Sequence, residues 1–238
     1  MNTTVSPPAL YLCSPVNAIV EGLYEQKIAF NELLQHGDFG LGTFDQLDGE
    51  MVLLDGEVFQ IDSAGAVHRI GREAMTPFAC VTFFRAVSED DVAESLSWDA
   101  FQLRLDALMP SRNIFYAFRI EGKFDLIRAR SVPRTENYRP LVDAAGTQST
   151  FEFRQVRGTL AGFYTPAFMS SLNVPGIHLH FLSEDRTRGG HLLECRPAGV
   201  KVGVQFLSRL ELSLPMTLDY LTLQFQRDVA ADLHKAER

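Results

Sequence analysis

Gly176-Ile177-His178-Leu179-His180-Phe181, followed after a polar stretch by Gly189-Gly190-His191, places half of the chain's six histidines within fourteen residues. Side chains alternate along a strand, so residues two apart project from one face. A strand through this stretch therefore sets His178 and His180 side by side. A hairpin through residues 183–190 returns His191 on the neighbouring strand. Three converging imidazoles with no fourth protein ligand describe an open, catalytic zinc-type site.

The surrounding sequence is written in the same period. Residues 40–47, 50–54, 57–61 and 66–70 read as four short strands, separated by Asp48-Gly49, Asp55-Gly56 and Asp62-Ser63-Ala64-Gly65. Asp-Gly between apolar runs is a hairpin signal, because the tight turn needs positive φ. Residues 77–84 form an apolar strand. Residues 114–121 and 124–132 read as a hairpin around Gly122-Lys123. Residues 150–156, 160–164, 177–182, 191–197, 200–207 and 210–214 give a second strand-rich part. Helices are fewer. One starts at Ser14-Pro15, with Ala18, Val20, Leu23 and Tyr24 at rough helical spacing. A short one carries Ile28, Phe30, Leu33 and Leu34 and stops near Gly37. A third spans 97–109, with Ser97 as its cap and Pro110 closing it. Residues 228–238 read as a short helix or a frayed tail.

These elements predict an α+β fold, β-rich with mixed and antiparallel sheets and a few helices. It is organised as two tightly packed halves, 1–140 and 141–238, or as one compact unit, with the Pro- and Gly-rich stretch 133–149 as the candidate linker. The 238 residues, 46% of them apolar, suffice for a large core. A formal net charge of −8 excludes nucleic acid as the main partner, since phosphate binding requires a basic surface. Cys13, Cys80 and Cys195 are odd in number and lack metal-type spacing, which reads as reduced thiols. The first residues lack a basic-then-apolar leader and no run is long enough for a membrane span. A cytoplasmic location is the expectation.

Five stretches, in order, carry a family resemblance. They are His36-Gly37-Asp38-Phe39-Gly40-Leu41-Gly42-Thr43-Phe44, Leu47-Asp48-Gly49-Glu50, Arg128-Ala129-Arg130-Ser131-Val132-Pro133, Gly176-Ile177-His178-Leu179-His180-Phe181 and Gly189-Gly190-His191. From about residue 10 onward the chain resembles α-acetolactate decarboxylase. The resemblance implies a zinc ion, or another divalent metal, on His178, His180 and His191. It also implies Glu50, Arg130 and Glu237 as catalytic residues, Arg130 and Thr43 at the substrate, and a homodimer. The implied substrate is a small 2-hydroxy-3-keto acid.

The implied chemistry is coherent. Loss of CO2 from 2-acetolactate leaves an electron pair beside a ketone, and a Lewis acid at the ketone and hydroxyl oxygens draws it into an enediolate. An acid within reach then protonates that carbon to give acetoin. Arg130 suits the carboxylate, which a guanidinium grips with two hydrogen bonds. A glutamate suits the proton, and whether it is Glu50 or Glu237 stays open. By pattern alone Glu57 is as good a candidate as Glu50, and Arg128 shares strand parity with Arg130. Thr43 also suits plain strand packing. His36, His68 and His234 are read as structural.

Two other readings compete. In a cupin-type metal oxygenase or isomerase, His178-x-His180-x-x-x-Glu184 would make Glu184 a fourth ligand, although no histidine follows Pro197-Ala198-Gly199 as that fold's second motif requires. In a non-catalytic small-molecule binding module the zinc would be structural, but such sites usually carry four ligands and cysteine.

Overall fold

The computed structural model describes residues 8–25 and 28–236. In chain order the first half contains β1 (Ala9–Leu12), α1 (Val16–Val20), β2 (Ile28–Ala29), α2 (Phe30–Leu33), β3 (Phe39–Thr43), β4 (Glu50–Leu54), β5 (Glu57–Ile61), β6 (Val67–Ile70), β7 (Met75–Thr76), β8 (Ala79–Thr82), β9 (Ser88–Ser95), α3 (Trp98–Ala107) and β10 (Phe115–Ser131). There follow α4 (Leu141–Ala145), β11 (Ser149–Thr165), β12 (Gly176–Ser183), β13 (Gly189–Leu207), β14 (Arg209–Leu212), α5 (Leu218–Thr222) and α6 (Val229–Ala236).

Two large sheets result. The first has seven strands in the order β14-β1-β8-β3-β4-β5-β6, with β14 parallel to β1 and the remaining pairs antiparallel. The second runs β10-β11-β12-β13-β9, and β10 also pairs with β13, so four of its strands close into a ring. The first sheet draws on residues 9–82 and 209–212 and the second on 88–207, so the chain crosses between sheets twice.

β4 shows how the sequence seats the sheets. All five of its residues are buried. Met51 and Leu53 pack toward α2 with Phe30 and Leu33. Val52 and Leu54 face the second sheet, in a layer with Phe39, Leu41, Phe115, Phe163 and Leu182. A strand covered on both sides needs apolar residues at every position, and Glu50 is the exception. Its parity matches Val52 and Leu54, so its carboxylate faces the second sheet. The other side of the second sheet wraps a separate core of Tyr116, Phe118, Phe124, Phe181 and Val202, closed by Phe101 and Leu105 of α3.

Several sequence expectations are corrected. No hairpin occurs at Gly122-Lys123: β10 is one strand of seventeen residues. Gly122 has φ +147, and an added Cβ would lie 2.2 Å from the Gly199 carbonyl oxygen. The glycine therefore serves close strand packing and a bend, with register shifts on either side of Phe124. The expected breaks near residues 157–159 and 198–199 are likewise bridged, within β11 and β13. Asp48-Gly49 is not a two-residue turn. Thr43 pairs with Glu50, and the six residues between them include a short 3-10 turn. Asp55-Gly56 is the expected tight turn, with φ of 52° and 78°. The stretch 133–149 contains α4, and β9 and α5 went unread because their residues are too polar or too short for a clear period. Ser97 caps α3 as expected, accepting from the Ala100 amide.

Candidate metal centre

The second sheet assembles its polar residues on the face that meets the first. On β12, Leu179 and Phe181 enter the inner core, so His178 and His180 turn the other way, in line with Leu182. On β10, Ile127 and Ala129 enter the same inner core, which turns Arg130 outward with the histidines. Register completes the row. His180 lies opposite His191 across β12–β13, and His191 lies opposite Arg130 across β13–β10. Glycines permit this tight pairing. A Cβ on Gly162 would stand 2.0 Å from the His178 carbonyl oxygen, and one on Gly190 would stand 2.6 Å from that of Arg130.

The imidazoles converge. His178 Nε2 lies 3.2 Å from His180 Nε2 and 3.1 Å from His191 Nδ1. One nitrogen from each ring lies within 4.8 Å of the others. His180 Nδ1 donates to the Met51 carbonyl at 2.8 Å, which leaves its Nε2 lone pair aimed into the cluster. Burial pushes the His178 ring down to about 3, aided by the nearby Arg130 charge. His180 is also driven well down, first by burial and then by His178. Neutral imidazoles with converging lone pairs are metal ligands in waiting. The donor set fits a divalent ion: nitrogens at tetrahedral zinc distances stand about 3.3 Å apart.

Glu50 and Arg130 complete the cluster. Arg130 Nη1 donates to Glu50 Oε1 at 3.0 Å, and both side chains are buried. Glu50 Oε2 lies 3.5 Å from His180 Nε2. Thr43, on the strand position facing Glu50, donates to the Gly49 carbonyl at 2.8 Å and so braces the loop that enters β4. All six residues line one chamber of about 60 Å³. Its apolar wall comes from residues that sequence reading had not marked, among them Ile19, Leu47, Phe78, Leu141 and Val174. They come from α1, α4 and the loops between strands, and their spacing in sequence carries no signal of a shared wall.

The competing candidates go elsewhere. Arg128 is half-exposed and pairs with Glu194 at 3.0 Å. Glu57 is exposed and pairs with Arg69. Glu184, the fourth ligand of the cupin reading, lies in the exposed turn after β12, beside Arg157 at 3.2 Å, and is not part of the histidine cluster. His36 stacks on Tyr11 with ring centroids 3.7 Å apart, and His68 binds Asp62. Glu237 and the His234 side chain lie outside the described residues.

Comparison with known proteins agrees with this arrangement. The family model "Alpha-acetolactate decarboxylase" matches residues 10–227. The chain belongs to this family. It is similar to the alpha-acetolactate decarboxylase of Methanosarcina mazei, with 40% identity over 96% of this chain and 80% of the relative. The Methylococcus capsulatus protein of the same name is 39% identical over 96% of this chain and 88% of its own length. Among solved structures, the Bacillus subtilis alpha-acetolactate decarboxylase superposes with a TM-score of 0.93 at 34% identity, covering 96% of this chain and 99% of that one. In this family member the strand-rich architecture and the histidine cluster are thus features of one fold.

Proposed function

We propose that the chain decarboxylates 2-acetolactate to acetoin and CO2, with a zinc ion held by His178, His180 and His191. The observation that carries this reading is the buried Glu50–Arg130 pair set against three converging imidazoles in a single chamber. A bound divalent ion would supply Lewis acidity to offset the charge left as CO2 departs, an effect of several kcal/mol in general.

The chain's own residues do the rest. The three rings hold one side of the site and leave the other to substrate. Arg130 directs planar donors at the substrate carboxylate and so fixes which bond breaks. Glu50 relays a proton taken from solvent water to the carbon that loses CO2, and its contact with Arg130 sets the face of delivery. Glu237 is the second acid of this reading. Thr43 holds the Gly49 carbonyl and with it the position of Glu50. The apolar wall takes the substrate's methyl groups and excludes water, which strengthens every charge interaction inside. The three free, buried cysteines fit a cytoplasmic setting. A homodimer is part of the same proposal, supported by the exposed Met216, Leu218 and Leu221.

The test is direct. Purified protein is stripped with chelator, reloaded with zinc and given racemic 2-acetolactate while acetoin is measured. Zinc-loaded protein should form acetoin well above the spontaneous rate, and stripped protein should not. Acetoin at background in the loaded sample refutes the proposal. Glu50→Gln should keep stoichiometric zinc and lose turnover.

A further inference from the structure

A second, larger cavity of about 630 Å³ abuts the chamber, and His178, His191 and Val174 line both. Its remaining wall is mixed, with Trp98, Leu193 and Leu233 beside the polar Gln102 and Arg128. Arg128 is the one arginine or lysine, and there is no carboxylate, among the described residues of that wall. The local register puts it there. β13 carries an extra residue, Leu193, between the partners of Ala129 and Arg128, which brings Glu194 opposite Arg128. The guanidinium is half-exposed and Glu194 is more buried, so the cation presents itself to solvent with its counter-charge behind it.

The substrate class of the proposed function is an anion, and the chain carries a net charge of −8. An anion approaching such a surface is repelled, unless an opening lined by positive charge and free of carboxylates draws it in. We propose that this outer cavity is the entry route for the anionic substrate and that Arg128 draws the carboxylate in, with Glu194 tempering the attraction. The inference rests on the decarboxylase reading for the identity of the anion. Arg128 acts on the substrate through its charge, from outside the chamber. It acts on capture, while Arg130, two residues on and fully buried, acts in the chamber.

The experiment measures KM and kcat for racemic 2-acetolactate at ionic strengths from low to high, in the zinc-loaded protein and in Arg128→Gln, Arg128→Lys and Glu194→Gln. At low salt Arg128→Gln should raise KM roughly three- to tenfold with kcat held within about twofold, and the gap should close at high salt as screening removes the field. Arg128→Lys should keep the low KM, and Glu194→Gln should lower it. An unchanged KM in Arg128→Gln at low salt, or a gap indifferent to salt, overturns the inference. So does a fall in kcat alone, which would assign Arg128 to the chemistry. A parallel binding titration with 2-hydroxy-2-methylpropanoate, an unreactive 2-hydroxy acid, follows capture without turnover. If wild type makes no acetoin yet binds this anion with the same dependence on Arg128, the entry route stands and the decarboxylase reading fails.

Discussion

Replacing Arg130 with Met roughly keeps the volume and removes the charge, and it takes the counter-charge from the buried Glu50 carboxylate. In the native chain both groups are about 95% buried and bonded at 3.0 Å. Removing one partner of a buried pair costs about 3–5 kcal/mol, because the survivor keeps its charge away from water without its counter-charge. For a chain of this length that corresponds to a fall in Tm of roughly 6–20 °C. Glu50→Gln strands the cation instead and should cost a similar amount. The double variant strands nothing, so it should be more stable than the sum of the single losses predicts, by about 2 kcal/mol of coupling. Urea denaturation and thermal melts of the four proteins, with chelator present throughout, read the cycle. Zinc-loaded protein should lose less in Arg130→Met, since a nearby divalent cation offsets the exposed carboxylate charge. Additive losses within about 0.5 kcal/mol, or a cost below about 1 kcal/mol for Arg130→Met, would refute the idea that the pair is energetically buried.

Three further outcomes follow from the same geometry. His180→Ala removes the ring that Met51 orients, so metal content by mass spectrometry should fall from near one per chain to near zero and turnover with it, while far-ultraviolet circular dichroism stays native; retained metal would mean that the ligand set is different. Gly162→Ala forces a methyl group against the His178 carbonyl and must part β11 from β12, so it should lower stability by roughly 1–3 kcal/mol and weaken metal binding at least tenfold, and wild-type zinc affinity in that variant would count against the close-packing argument. Asp55→Asn tests pH dependence. Hydrogen bonds from Arg119 hold the Asp55 carboxyl below its ordinary value, so its contribution is complete above the ordinary carboxylate range and is lost as pH falls through the lowered one. Asn tolerates the left-handed turn position, so only the charge changes. The variant should be less stable by under about 1 kcal/mol near pH 7, with the gap shrinking toward acid; a gap that grows in acid refutes the assignment.

How far the sequence could be read depended on whether the signal was local. The three histidines sit on neighbouring strands whose alternation fixes side-chain direction, so their convergence could be anticipated from spacing and turn residues, whereas Glu50 came from the family resemblance. Asp55-Gly56 and Ser97 were equally legible, because a tight turn and a helix cap are decided by the residues that form them. Gly122-Lys123 misled, because glycine marks a turn and a close strand crossing with the same letter. The crossing depends on Gly199 and Val200, nearly eighty residues away. Glu50 against Glu57 and Arg130 against Arg128 could not be separated by pattern, since each pair shares composition and a similar local setting.

Sequence alone determined the strand period, the tight turn at Asp55-Gly56 and the presence of a ligand-rich hairpin, all of which are set by neighbours in the chain. Tertiary structure decided which carboxylate and which guanidinium were buried together, which apolar side chains from α1, α4 and the connecting loops wall the chamber, and that β10 and β13 run through their glycines to close a ring. Those outcomes are set by desolvation and by contacts between segments far apart in the chain, and such contacts acquire their energy only once the two sheets have closed on one another.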